Sequence, residues 1–211
     1  MTLKEKLNKI KEKIFLIQKN AGFNKEVEIV AVTKTHPFQT IRDSWSAGFL
    51  SIGENRIQEA VNKFESFDSM PDLKKRFIGH LQSNKVKKCV TIFDTIDSVD
   101  SIKLLKKISK EEKKKDMRVL LEINTSKEHQ KKGFLSFEIE KILECFYVKN
   151  VKIDGLMTMA PFTSEKKIIR ESFRELRRLK NTINDQIRDN KIKQLSMGMS
   201  NDYDIAVEEG S

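Results

Sequence analysis

The chain has 211 residues, 38% hydrophobic and 34% charged, with 41 Lys+Arg against 31 Asp+Glu and a formal net charge of +10. That length suits one domain over 1–211 with a sizeable core. No run of 18 apolar residues spans a membrane and Met1-Thr2-Leu3-Lys4-Glu5-Lys6 lacks a signal-peptide core, so a soluble, cytoplasmic protein is expected.

The excess of lysine is interleaved with glutamate along helices, which reads as solvated helix face rather than a polyanion site. Cys89 and Cys145 have no second Cys or His at metal-ligand spacing and read as reduced, buried thiols.

Thr2 followed by Glu5 is a capping-box pattern, and Leu3, Leu7, Ile10, Ile14 and Ile17 recur at helical spacing, predicting an amphipathic helix that ends near Gly22. Strands and helices then alternate. Val27 to Thr33 reads as a strand buried on both faces, with Pro37 opening a helix to Ala47. Leu50 to Gly53 is a short strand, followed by a helix through Ile57 and Val61. Next come a strand at Arg76 to Gly79, a short helix through Val86 and a strand at Thr91 to Ile96. A helix at Ser98 to Ser109 leads to a strand at Met117 to Ile123. The loop Thr125 to Gly133 leads to a helix carrying Ile139, Ile142, Leu143 and Phe146, then a strand at Val151 to Met157. A long helix has Ile169, Phe173, Leu176, Leu179 and Ile183 on one face. Gln194 to Met197 is a seventh strand, and Asp202 starts a helix stopping at Gly210.

This βαβ rhythm predicts a (β/α)8 barrel with an extra N-terminal helix. The eighth strand is missing at the C-terminus: the sequence stops at Ser211, where that strand should begin, so the barrel is expected to stay open or the chain to be truncated.

In such barrels, function sits at the carboxyl ends of the strands. Lys34 follows the first strand in Val30-Ala31-Val32-Thr33-Lys34-Thr35-His36-Pro37, where a partly desolvated ammonium can act as a nucleophile toward an aldehyde. Asn55, in Gly53-Glu54-Asn55-Arg56, either orients a ligand or caps the next helix. His80, after the third strand, either faces the pocket or is structural, with His36 and His129 weaker candidates. At the seventh strand, Ser196, Gly198 and Ser200 form two hydroxyls around a glycine before a helix start, suited to phosphate or to a capped turn. Met157 and Met159 either wall a flat ligand or pack the core. A lysine nucleophile and a phosphate cradle flanking one pocket suggest pyridoxal 5′-phosphate (PLP).

Ala31-Val32-Thr33-Lys34-Thr35, Gly53-Glu54-Asn55, Phe77 to Lys85, Gly155-Leu156-Met157 and Leu195-Ser196-Met197-Gly198-Met199-Ser200 carry a resemblance that covers nearly the whole chain. It resembles the pyridoxal phosphate homeostasis proteins, which look like the N-terminal barrel of alanine racemase standing alone. The resemblance implies that Lys34 carries PLP as an imine, that Asn55 lies close to it, and that Ser196 and Ser200 belong to the phosphate end. It implies a carrier or regulator that buffers PLP or hands it to apo-enzymes, without conventional turnover, and a monomer is expected. The family continues past Glu-Glu-Gly-Ser into a strand whose arginine faces the pyridine nitrogen and whose Gly-Thr turn adds phosphate contacts. Both are absent here, so weaker cofactor affinity is expected.

Two rivals remain. A racemase needs a second acid/base group opposite the lysine, which in alanine racemase comes from a following β-domain not present in this sequence. A basic nucleic-acid-binding protein fits the charge, but the chain has one Trp and two Tyr for stacking and no recognisable binding motif.

Overall fold

The computed structural model describes every residue except 65–69, 112–115, 127, 129–131 and 190, so His129 lies outside the described residues. Helix α1 (Leu3–Ala21) starts at the expected capping box: Thr2 Oγ1 accepts the Glu5 N–H at 3.2 Å and Glu5 Oε2 accepts the Thr2 N–H at 2.8 Å. It ends at Gly22, whose φ of 75° suits the left-handed C-cap. Its buried Leu7 and Ile14 share one face, as the spacing predicts.

Strands β1 (Ala31–Val32), β2 (Ser51–Glu54), β3 (Lys74–Phe77), β4 (Thr95–Val99), β5 (Met117–Asn124), β7 (Val151–Met157) and β8 (Gln194–Ser196) pair in that order, all parallel. These are the seven strands read from the sequence. A two-residue β6 (Phe134–Leu135), not expected from the sequence, pairs off the path with Ile123 and Asn124 of β5. Helices α2 (Phe38–Ser46), α3 (Ile57–Phe64), α4 (Val86–Ile92), α5 (Ile102–Glu111), α6 (Ile139–Glu144), α7 (Lys166–Gln186) and α8 (Tyr203–Glu208) fill the crossovers and the end of the chain.

The sheet's two edges are β1 and β8, which do not pair with each other among the described residues. Ser211 sits at the β8 edge, its hydroxyl 3.0 Å from the Met197 carbonyl and 3.2 Å from that of Leu195. Edge position corrects the expectation for β1. β1 has one neighbour among the described residues, its regular pairing shrinks to Ala31 and Val32, and the 48% exposure of Val32 leaves one of its faces uncovered. Likewise the strand expected at Thr91 to Ile96 begins only at Thr95, because α4 runs on through Ile92. Val86, Cys89 and Phe93 recur at helical spacing and lie buried in the main core.

That core lies between the outer face of the sheet and helices α3 to α8, and includes Phe77, Leu105, Leu121, Phe173, Leu176 and Ile205. Phe93 meets Phe77 edge-on at 5.2 Å and Phe64 at 5.4 Å. A smaller cluster of Ile41, Ile52, Met70 and Leu73 seats α2.

At the amino ends of the strands the interior is charged. Arg76 Nε lies 2.7 Å from Asp97 Oδ2 and its Nη1 3.1 Å from Glu28 Oε1, with the Ser51 hydroxyl also donating to Glu28. Arg76 and Asp97 are both buried. They border a cavity of about 540 Å³ that also meets Leu120, Arg118 and Asp154.

Candidate functional site

Parallel pairing puts the carboxyl ends of all strands on one rim. The register aligns Val32 with Gly53, Glu54 with Phe77, Phe77 with Ile96, and Met157 with Ser196. Lys34, Asn55, His80 and the Ser196 to Ser200 loop therefore follow four strand ends of the same rim, as a barrel requires.

Lys34 is exposed, not partly desolvated by the protein as its place after an apolar run suggests. The residues around it are fixed. Thr33 is buried and its hydroxyl donates to Glu54 Oε1 at 2.7 Å; its carbonyl accepts from Lys63 Nζ at 2.9 Å. Thr35, with φ 65°, donates its N–H to Glu59 Oε1 at 2.7 Å and its hydroxyl to the Lys34 carbonyl at 2.6 Å. Lys63 joins the two carboxylates, 2.9 Å from Glu54 Oε1 and 2.6 Å from Glu59 Oε1. The hydrogen bond from Lys63 and that from the Thr35 N–H hold the Glu59 carboxyl below the ordinary glutamate range, against the opposing pull of desolvation.

Glu54, Glu59 and Lys63 escape the sequence reading. Glu59 and Lys63 stand at i and i+4, a spacing that reads as a surface helix pair. Only the fold, which brings Lys63 to the Thr33 carbonyl and Glu54, turns it inward, to 9% exposure.

Asn55 does not cap α3: its Oδ1 is buried and accepts no hydrogen bond among the described residues, an orphan polar atom one residue from the end of β2. Glu54 Oε2 is also buried without a partner among the described residues, beside Lys63 of α3. The Asn55 orphan fits a ligand that brings a donor to this rim. Gly79 lets the strands close here, since a Cβ would stand 2.2 Å from the Asn55 carbonyl oxygen.

His80 Nδ1 lies 3.2 Å from Asp100 Oδ2. The ring lines a cavity of about 200 Å³ with Gly79, Ser98, Glu122, Asn124, Lys132 and Met159. Burial pushes the Glu122 carboxyl up, helped by Asp100 and opposed by Lys132. Met157 belongs to the core and Met159 to the cavity wall, so the methionine pair divides between its two readings. Thr125 Oγ1 lies 2.9 Å from Thr158 Oγ1 and 2.6 Å from Ser172 Oγ, tying the ends of β5 and β7 to α7. Lys34, Asn55, Ser196 and Ser200 share the rim but lie outside this cavity's lining.

In the loop after β8, Gly198 has φ 93°, and a Cβ there would stand 2.7 Å from that of Ala206, so the turn folds tightly onto α8. The cap of α8 is Asp202 rather than Ser200, and the Asp202 carboxylate takes the Met199 N–H. Ser200 is exposed and Ser196 half-buried. The loop is held by α8, which α1 and α7 flank: Lys13 lies over the Tyr203 ring at 4.9 Å, and Arg170, Arg174 and Arg177 of α7 surround the buried Glu209 at 3.0–3.1 Å.

Among known families, residues 6–206 match the model described as alanine racemase, N-terminal domain, so the class is that of the racemase-type barrel. The chain is 34% identical to the pyridoxal phosphate homeostasis protein of Aquifex aeolicus, over 98% of this chain and 92% of that one. It is 38% identical to that of Synechocystis, over 88% and 86% respectively. The chain belongs to the family of pyridoxal phosphate homeostasis proteins.

The structure of PipY from Synechococcus elongatus with PLP bound superposes with a TM-score of 0.82 at 31% identity, covering 96% of this chain and 94% of that one. Alanine racemase from Clostridium difficile shares the fold alone, with a TM-score of 0.68 at 13% identity over 93% of this chain and 50% of its own. Among the described residues no helix is long and apolar enough to cross a membrane.

Proposed function

We propose that this chain is a single PLP-binding domain that holds the cofactor on Lys34 and buffers it or releases it to apo-enzymes, as a carrier and regulator of vitamin B6 rather than as a turnover enzyme. The observation that carries the reading is the rim itself: one lysine on a braced turn beside the orphan acceptor Asn55 Oδ1, with the Ser196 to Ser200 turn on the opposite edge strand. PLP bound to PipY, and the names of the curated relatives, support the ligand.

When bound, PLP would supply an aldehyde, the electrophile toward which a lysine amine is the matching nucleophile. Everything else falls to the chain. Lys34 Nζ offers the nucleophile from an exposed position, where an incoming amine or recipient protein can reach it. Asn55 Oδ1 would accept a donor from the ligand, and His80, held by Asp100, would present its imidazole to it. Ser196, the Gly198 turn and Ser200 would hold the phosphate end.

A spectrophotometric titration with PLP tests the reading. Wild-type protein gains visible absorbance from lysine-bound cofactor and saturates at one equivalent per chain, and Lys34→Ala gives none. A Lys34→Ala protein with wild-type absorbance would falsify the assignment.

A further inference from the structure

We infer that Glu59, through Lys63 and the Thr35 amide, is a positioning residue that sets the backbone of Lys34 for cofactor attachment. The inference deepens the PLP reading and rests on it.

Two hydrogen-bonded flanks bracket Lys34. Before it, Thr33 is locked by its hydroxyl on Glu54 and its carbonyl on Lys63. After it, Thr35 occupies φ 65°, a conformation a β-branched residue adopts only when its surroundings impose it. What imposes it is the Thr35 N–H bond to Glu59 Oε1, 2.7 Å long, made to a carboxylate that Lys63 grips at 2.6 Å from the next helical turn. Strain of this kind costs free energy and gathers where a side chain must be aimed. Here the one residue it aims, between the two flanks, is the candidate nucleophile. Lys63 is the common node, 2.9 Å from both Thr33 O and Glu54 Oε1, so the two sides of Lys34 are set by one ammonium. The low-lying Glu59 carboxyl keeps the outer bond charge-assisted across the neutral range. Glu59 bonds to the Thr35 N–H and to Lys63, so its effect on Lys34 passes through the turn.

Lys63→Met strands Glu54 in the interior, so the informative variants spare that pair. Glu59→Ala removes the acceptor of the Thr35 N–H and leaves Lys63 on Glu54 and Thr33. Thr35→Pro acts in an exposed loop, deletes the same donor and fixes φ near about −65°. Both are expected to melt within a few degrees of wild type while the PLP concentration for half-saturation of the visible band rises about tenfold, the loss of one charge-assisted bond and the turn it holds.

Glycine enters the left-handed region without strain. Adding Thr35→Gly to Glu59→Ala therefore restores attachment to within about threefold of wild type, which a general loss of stability would not allow. Glu59→Ala and Thr35→Pro both saturating like wild type overturns the inference while leaving the cofactor site standing. A wild-type protein that attaches PLP elsewhere than Lys34 overturns the cofactor reading and this inference with it.

Discussion

At Gly79 a side chain has nowhere to go. The nearest obstacle to a Cβ is the carbonyl oxygen of Asn55, part of the backbone of the neighbouring strand end, and it cannot swing aside as a side chain could. Gly79→Ala must therefore part β2 from β3 at the point where Asn55 and His80 stand. A loss of about 1–3 kcal/mol is expected, the range for overpacked interiors, read as a lower urea midpoint at unchanged slope and accompanied by weaker PLP uptake. The two thiols lie at the opposite extreme of reactivity. Cys89 and Cys145 are fully buried, and burial pushes the Cys145 thiol up to about 12 and that of Cys89 higher still. Neither should react with a disulfide reagent in the native protein, and both should react in denaturant.

Among elements, α8 shows how a short helix is made dependable. Six residues cannot hold a helix alone. What holds α8 is the burial of Ile205, Ala206 and Val207 together with Glu209, just past its end, caged by Arg170, Arg174 and Arg177 of α7. Burial alone would push the Glu209 carboxyl up, but the arginines outweigh it and keep it below its ordinary value of 4.5. A carboxylate lowered on folding stabilises the fold above its unfolded value and ceases to do so as pH falls through the folded one. Wild-type stability should accordingly drop as pH falls below about 4.5 by more than that of Glu209→Gln, measured by denaturation at each pH. At neutral pH, Glu209→Ala should cost about 1–3 kcal/mol for lost charge-assisted bonds. It should also raise the PLP needed for saturation, since the Ser196 to Ser200 turn leans on α8 through Gly198. On the opposite rim, Arg76 satisfies two carboxylates at once, one of them the buried Asp97. Arg76→Met leaves that charge uncompensated and is expected to destabilise by about 3–5 kcal/mol, read from chemical denaturation.

For the molecule as a whole, the order of elements and the rim that carries the site are legible in the sequence because both are local. Apolar runs bounded by Gly, Pro and Asn mark strands wherever they pair, and a parallel α/β alternation then dictates that every strand points its carboxyl end the same way. Lys34, Asn55, His80 and Ser196 fall on one rim for that reason alone. What escapes depends on partners distant in sequence or on an edge. The exposure of Val32 leaves one face of the edge strand β1 uncovered, and β6 follows from two residues meeting the end of β5. The inward turn of Lys63 follows from the Thr33 carbonyl and Glu54 that it meets, against a charge pattern that reads as surface. Asn55 is a middle case: its position is readable, but that its Oδ1 lacks the helix amide it would ordinarily cap is visible only in three dimensions.

The claim on which the rest depends is that this molecule carries PLP on one lysine among its 41 lysines and arginines. The most direct measurement is borohydride reduction after incubation with one equivalent of PLP, followed by peptide mass mapping. The account predicts the phosphopyridoxyl mass on the peptide containing Lys34 and on no other; label spread over many surface lysines, or concentrated on one far from the rim, would contradict it.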